Sequence, residues 1–567
     1  MSTESRVSGY VHVCAEAPSE RSSLRDSAIS RPTYHAKLHK WLAVTITALV
    51  SLSCLTPAIA QSRRGELRGA WMGEGYGRDW PAVMQSLREN GFNAIFPNLC
   101  VGNMAFYPSK VLAVVPGGEP GRDQLADAAK AARDSGIELH VWRINWALWR
   151  TPEELLKELD AAGRLQRNSK GQRGKDDPEI TVDWLCPSNP ENRKLEKEAM
   201  LELVRDYDIA GIHFDYMRYP GGDYCFCDGC KERFQQSQGV KVEQWPDDVR
   251  EGGPFAERWQ QWRRGLITSL AQEISDAAHA LKPDICVSLA AWPNTEAGRE
   301  WYGQDWVPWA REGTLDFVCP MDYTTDDQAL AGMVESQVAA VRGTIPLYAG
   351  LGAFEMKSSE QLISQIGVAR SEGADGFVAF AYGSGDLDKW LPELRASVTS
   401  GDPGPTPHTS PPVRFTISGD ATKAPASGRN VIAGEKLEVE VVLGWEPPSA
   451  AEGAEGDAQA GAMLDRILNQ RAPINDYDAR GRVVVEPSET QRISGRIVVE
   501  APTGAALAVL GAFDTEWRYE RKLGFTAPEG PFRLAIYGAV TGAKGKREFV
   551  VRAPLKVGVK ADAAANP

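Results

Sequence analysis

The residues of this chain whose types and spacing could do chemistry stand at the ends of short apolar runs. Asp215 closes Ile-Ala-Gly-Ile-His-Phe-Asp, and Asp322 closes Leu-Asp-Phe-Val-Cys-Pro-Met-Asp. A carboxylate in such a place is either buried and paired, with Arg143 or Arg218 for example, or presented at a mouth where it can react. Two carboxyls facing one bond suit glycosidic cleavage, one protonating the leaving oxygen and the other attacking or activating water. Glu74, near the end of another apolar run, is a third candidate carboxyl. Asn98, Arg143, Asn145, Arg218, Tyr219, Trp292, Tyr323 and Tyr382 close or follow other runs. Together they would form a polar and aromatic rim suited to sugar hydroxyls and sugar faces, with Trp292, Tyr219, Tyr323 and Tyr382 lining a groove. Competing chemistries lack their parts. No Ser-His pair is placed as nucleophile and base, and with only 7 His the chain carries no H-E-x-x-H or three-histidine set for a catalytic metal. Catalysis is therefore expected to need no cofactor.

These residues need elements to position them. Eight apolar runs alternate with amphipathic stretches, the pattern of a parallel α/β fold. The expected strands are Leu67–Met72, Ala94–Leu99, Glu138–Asn145, Gly211–Tyr216, Ile285–Ala291, Phe317–Met321, Pro346–Leu351 and Gly376–Ala381. Helical stretches lie between them, among them Asp79–Asn90, Asp123–Ser135, Asn192–Tyr207, Phe255–Leu281 and Ser358–Glu372. Several end in breakers suited to a C-cap, as in Ser371-Glu-Gly373. Eight such units predict a (β/α)₈ TIM barrel over residues 64–398, in which working residues occupy the carboxyl ends of the strands. A doubly wound open sheet is the alternative, but no G-x-G-x-x-G follows the first strand.

The remaining chain divides in three. Residues 1–60 read as a long extension ending in a secretory signal: basic His35–Lys40, apolar Trp41–Leu55, then Pro57-Ala-Ile-Ala60. Cleavage after Ala60 would leave an exported protein, periplasmic or at the cell surface, with no transmembrane segment in the mature chain. Residues 399–412 are rich in Pro and Gly and read as a linker. Residues 413–560 alternate as β-strands and predict a β-sandwich-like accessory domain, with strands at Lys436–Leu443, Gly481–Val485, Ser494–Val499, Ala505–Leu510, Phe532–Tyr537 and Glu548–Arg552 and an Ala- and Gly-rich loop at Ser449–Gly461. A length of 567 residues accommodates these parts, and a net charge of −13 argues against a nucleic-acid partner.

Three stretches are distinctive in combination: Glu66-Leu-Arg-Gly-Ala-Trp71, Trp184-Leu-Cys-Pro-Ser-Asn-Pro190 and Gly211-Ile-His-Phe-Asp-Tyr-Met-Arg-Tyr-Pro220. On them the chain, over roughly residues 64–395, resembles the glycosyl-hydrolase-like family 10 group. The resemblance implies a TIM barrel acting on bacterial cell-wall glycans or other polysaccharides. It also implies Asp215 as nucleophile and Asp322 as acid/base, with Glu74 as the substitute for Asp322. A non-catalytic glycan-binding barrel, and a lyase or transglycosylase, are the alternative readings of the same groove.

Of the 9 cysteines, Cys14 and Cys54 lie in the segment expected to be removed, and Cys100, Cys186, Cys286 and Cys319 are scattered. Cys225, Cys227 and Cys230 form a C-x-C-x-x-C run just after the fourth expected strand. Three thiolates so spaced can hold a structural Zn²⁺ if a fourth ligand arrives from elsewhere; the alternatives are a local disulfide with one spare thiol, or free thiols.

Overall fold

The protein is described here by a computed structural model covering residues 65–409, except 116–121 and 342–343, and segments 413–419, 430–432, 436–444, 492–501, 506–516, 518–526, 532–542, 545–552 and 558–560 with residue 528. The expected signal segment 1–60, residues 410–412 of the linker, the loop 449–461 and the strand 481–485 lie outside the described residues.

Eight parallel strands form the barrel: β1 Leu67–Met72, β2 Ala94–Val101, β3 Glu138–Ile144, β4 Gly211–Asp215, β5 Cys286–Ala291, β6 Phe317–Pro320, β7 Tyr348–Gly352 and β8 Gly376–Tyr382. Their spatial order is β6-β5-β4-β3-β2-β1-β8-β7, each pair in parallel register. Parallel bridges Val318–Leu347 and Met321–Gly350 join β6 to β7 and complete the ring. All eight strands overlap the expected runs. The strands are buried nearly throughout, as strands covered by helices must be. Helices follow each strand, including Trp80–Glu89, Gln124–Ser135, Pro190–Asp206, Ala256–Leu281, Asp327–Val341 and Ser359–Glu372. Gly136 and Gly373 end two of them in the left-handed conformation, as the breakers predicted.

Alternation along the strands decides which side chains enter the barrel. Phe96, His140, Phe317 and Tyr348 pack together inside its lower half, and Trp71, His213 and Phe380 form the next layer. His213 is fixed from both sides: Trp71 Nε1 donates to its Nε2 at 3.0 Å, so Nδ1 carries the proton toward Ser288 Oγ at 2.8 Å. Burial holds this imidazole well below its ordinary pKa, hence neutral. Gly350 leaves room for that layer, since a Cβ there would meet Pro320 O at 2.3 Å and the Trp71 ring at 2.7 Å.

Below the barrel, Glu66 accepts from Arg68 Nε at 2.7 Å and from Arg370 Nε at 3.0 Å. Arg68 also donates to the Thr399 carbonyl at 2.8 Å. The opening Glu-Leu-Arg is thus a buried clamp rather than part of a reactive site. The segment expected as a linker is docked over its described part. His408, 4% exposed, shares a hydrogen bond with the Tyr348 hydroxyl at 2.8 Å and pairs with Glu138 at 2.9 Å. Burial alone would raise the Glu138 carboxyl, but His408 and His140 overcome it and hold the group well below the usual carboxylate range.

Beyond the barrel, two antiparallel sheets face one another. One orders Val413–Gly419, Lys436–Gly444 and Arg518–Thr526; the other orders Ala506–Glu516, Arg492–Glu500, Arg533–Gly542 and Gly545–Arg552. Leu437, Val439, Val441 and Leu443 from the first meet Ile493, Ile497, Leu534 and Ile536 from the second in a common core. This is sandwich packing.

Candidate active site

Asp215 ends β4 two residues after His213, on the same inward face, and is 4% exposed. Each of its oxygens has a donor. Trp142 Nε1, from inside β3, reaches Oδ2 at 3.0 Å, and the Tyr216 backbone N–H reaches Oδ1 at 2.7 Å. Tyr216 itself takes φ +54°, a left-handed conformation unusual for a tyrosine, and Trp146 above β3 likewise has φ +40°. Strained residues of this kind collect at functional sites. Burial raises the Asp215 pKa to about 6, while Arg218 and the two hydrogen bonds pull it down. Neither Arg143 nor Arg218 makes a salt bridge to it. Near neutral pH the group is mostly an oriented carboxylate.

Asp322 is placed differently. Phe317, Met321 and Tyr323 share the inward side of β6 and its continuation, so Asp322 falls on the side of the surrounding helices. There Gln337 Nε2, on the helix Asp327–Val341, donates to Oδ1 at 2.6 Å. Oδ2 has no partner among the described residues, and burial pushes the pKa to about 8, keeping the carboxyl protonated at neutral pH. The structure does not bring Asp322 into the mouth with Asp215. Glu74 is in the mouth region and partly exposed, but Arg150 occupies its carboxylate. Sequence reading missed Glu355. It lies in the turn Ala353–Glu355 directly after β7, half-buried, with its carboxyl raised by burial. Its signal was a carboxyl closely following the Tyr-Ala-Gly-Leu-Gly strand, on the end where working residues collect.

The expected rim divides into exposed and buried sets. Tyr323 and Tyr382 are half-buried at the mouth. Tyr323 stacks on Phe380 at 5.9 Å, Phe354 stands edge-on to both, and Trp142 meets Phe380 at 6.0 Å. An aromatic surface therefore runs from the partner of Asp215 to the rim. Phe354 and Phe380 were not anticipated.

Arg143 and Asn145 turn to Glu196 on the helix Pro190–Asp206, at 2.7 Å for Arg143 Nη2 and 2.7 Å for Asn145 Nδ2. They fix the end of β3 rather than face a groove. Arg218, fully buried, is boxed by the rings of Tyr216 at 4.5 Å, Trp292 at 5.2 Å, Tyr302 at 5.3 Å and Trp184 at 5.8 Å. Tyr219 is 1% exposed and stacks under Arg263. Asn98 is also buried, with both amide atoms lacking a partner among the described residues.

The cysteine run gains a neighbour. Cys186, expected as a scattered residue, joins Cys225, Cys227 and Cys230 in one buried group. These four residues could hold a metal.

Fold and mouth together define a (β/α)₈ barrel protein with a buried carboxylate and aromatic rings at the carboxyl ends of its strands. The chain belongs to the family described as Glycosyl hydrolase-like 10, whose model matches residues 66–357, just over half of the sequence. It is similar to a protein named glycosyl hydrolase YngK from Bacillus subtilis, 23% identical over 332 residues, covering 50% of this chain and 59% of that one. It is also similar to an S-layer-related protein of Niallia circulans, 22% identical over 305 residues, covering 45% of this chain and 19% of that one. Less than two thirds of either relative is thus spanned. Among solved structures it is similar to the PgaB (BpsB) glycoside hydrolase domain from Bordetella bronchiseptica, with 15% identity, a TM-score of 0.46, and coverage of 59% of this chain and 97% of that one.

Proposed function

We propose that the protein is an exported hydrolase of glycosidic bonds in a polysaccharide or cell-wall glycan, with Asp215 as its nucleophile. The observation that carries this reading is the environment of Asp215: inward-facing, donated to on both oxygens, and joined through Trp142 to half-buried rings at the mouth. Those rings suit the apolar faces of sugars. Export rests on the signal-like segment before Gln61. Among the described residues no helix is long and apolar enough to cross a membrane.

In this mechanism Asp215 attacks the anomeric carbon as the bond to the leaving oxygen breaks, and a second carboxyl gives that oxygen its proton. Water then attacks the glycosyl-enzyme, returning its proton to the second carboxyl. The acid must hold a proton until the transition state, so a group raised by burial is suited to it. Of the three other carboxyls, Glu355 best fits the position. It is partly exposed at a strand end, whereas Asp322 faces Gln337 and Glu74 is engaged by Arg150.

Purified protein and its Asp215→Asn and Glu355→Gln variants are to be incubated with peptidoglycan glycan strands and with plant and algal polysaccharides, and reducing ends counted. Release by the parent and loss in both variants is expected. Saturable binding of a glycan with no release would instead favour the glycan-binding reading, for which the outward Asp322 is the supporting observation.

A further inference from the structure

We propose that Cys186, Cys225, Cys227 and Cys230 form a tetrathiolate zinc site that fastens two loops over the ends of β3 and β4. Cys186 comes from the loop before the helix Pro190–Asp206, and the other three come from the loop after β4 and the start of the helix Asp228–Gln238. The four sulfurs lie within 4.8 Å of one another, with Cys186 Sγ 3.4 Å from Cys230 and 3.7 Å from Cys227. Tetrahedral zinc with Zn–S bonds of about 2.3 Å sets its sulfurs about 3.8 Å apart. A disulfide would bring a pair to about 2.05 Å. Pairing all four as disulfides would also join two residues of the Cys225–Cys230 run to each other, closing a very short loop that stabilises least.

The surroundings suit an anionic centre. Cys227 caps the helix Asp228–Gln238 and Cys230 sits in its first turn, where the helix dipole favours thiolate. Ser188 Oγ is 3.2 Å from both Cys186 Sγ and Cys230 Sγ, and Arg233 Nε donates to that hydroxyl at 3.0 Å. Arg263 lies within electrostatic reach of Cys225 and Cys230. Arg233 Nη2 and Arg263 Nε are buried without a hydrogen-bond partner among the described residues, leaving their charge to balance a dianionic Zn(Cys)₄ centre. On binding, the thiols release their protons to solvent and no redox change occurs. The ion then holds Cys186 two residues from Trp184, which packs on Tyr216 at 5.4 Å. The site would stiffen the backbone that donates to Asp215 without touching substrate.

The test uses the full exported chain, purified without chelator from zinc-supplemented medium under reducing conditions. One zinc per chain is expected by elemental analysis. Replacement by Co²⁺ should give the intense visible bands of tetrahedral thiolate coordination. Cys186→Ser and Cys230→Ser should lose most of the metal, Cys186→His should retain it, and Cys286→Ser, outside the cluster, should be unaffected. Protein without stoichiometric metal, or with the four sulfurs as disulfides by non-reducing mass analysis, would overturn the proposal. Iron in place of zinc would overturn it as well.

Discussion

At the scale of residues, Asp215 and Asp322 show how burial separates two like groups. Asp215 keeps two donors and a nearby guanidinium, so its pKa rises only to about 6; Asp322 has one amide donor and rises to about 8. Activity that depends on ionised Asp215 should fall as pH drops through about 6. Trp142→Phe removes a donor to the charged form, so the acidic limb of kcat/KM should move to higher pH. An unmoved limb would show that Asp215 does not govern it. Asp322 has a stability consequence of its own. Between its ordinary value of 3.8 and about 8 the folded chain holds a proton that the unfolded chain has lost. Stability from this group therefore declines as pH rises through that window and levels off above it. Asp322→Asn should raise Tm near pH 8 and leave it little changed near pH 4, as calorimetry can check. The position of Asp215 was legible because a carboxylate after a strongly apolar run reads as a strand end. The orientation of Asp322 was less so: just beyond a strand, a single step of alternation turns a side chain from mouth to helix layer. Trp142 was invisible as a partner because its bond crosses 73 residues of sequence, and Gln337, on the very next helix, because residue spacing does not show which of that helix's side chains meets the strand end.

At the scale of elements, the segment Trp184–Pro190 performs three tasks within seven residues. Trp184 packs against Tyr216 and Arg218, Cys186 enters the sulfur cluster, and Asn189 caps the next helix by accepting from Glu191 and Asn192 N–H at 3.0 and 3.2 Å. Pro190 follows at the first helical position. Asn189→Ala should cost about 1 kcal/mol of stability, measured by denaturant unfolding. A loss far above that would mean the cap also holds the loop. Glu196 on this helix has the larger part, because Arg143 and Asn145 both depend on it. Glu196→Ala would leave a buried guanidinium unpaired and should cost about 3–5 kcal/mol. Capping and strand positions were readable here from local residue types. That Arg143 would face a helix carboxylate was not, since period-two alternation gives a face but not what covers it.

At the scale of the whole molecule, polar residues tie the chain after the barrel to the barrel's lower end. His408 bonds Tyr348 of β7 and Glu138 of β3, and Thr406 Oγ1 reaches Glu138 at 2.6 Å. Proline and glycine suggested a linker, but composition does not reveal that a single histidine in such a run is docked. His408→Ala should lower global stability by about 1–3 kcal/mol and expose residues 399–409 to protease. The barrel itself was legible because eight buried strands in a ring leave continuous apolar runs. The sandwich was less so, and Val413–Gly419 and Arg518–Thr526 were not anticipated. The proposed chemistry resides at the barrel mouth. It is tested by release of reducing ends from peptidoglycan glycan strands and plant and algal polysaccharides by the parent and by Asp215→Asn, each shown to be folded by circular dichroism. Release by the parent from at least one glycan is expected, with a fall on the order of 10⁴-fold or more in the variant. Equal release by both proteins would contradict the proposed chemistry.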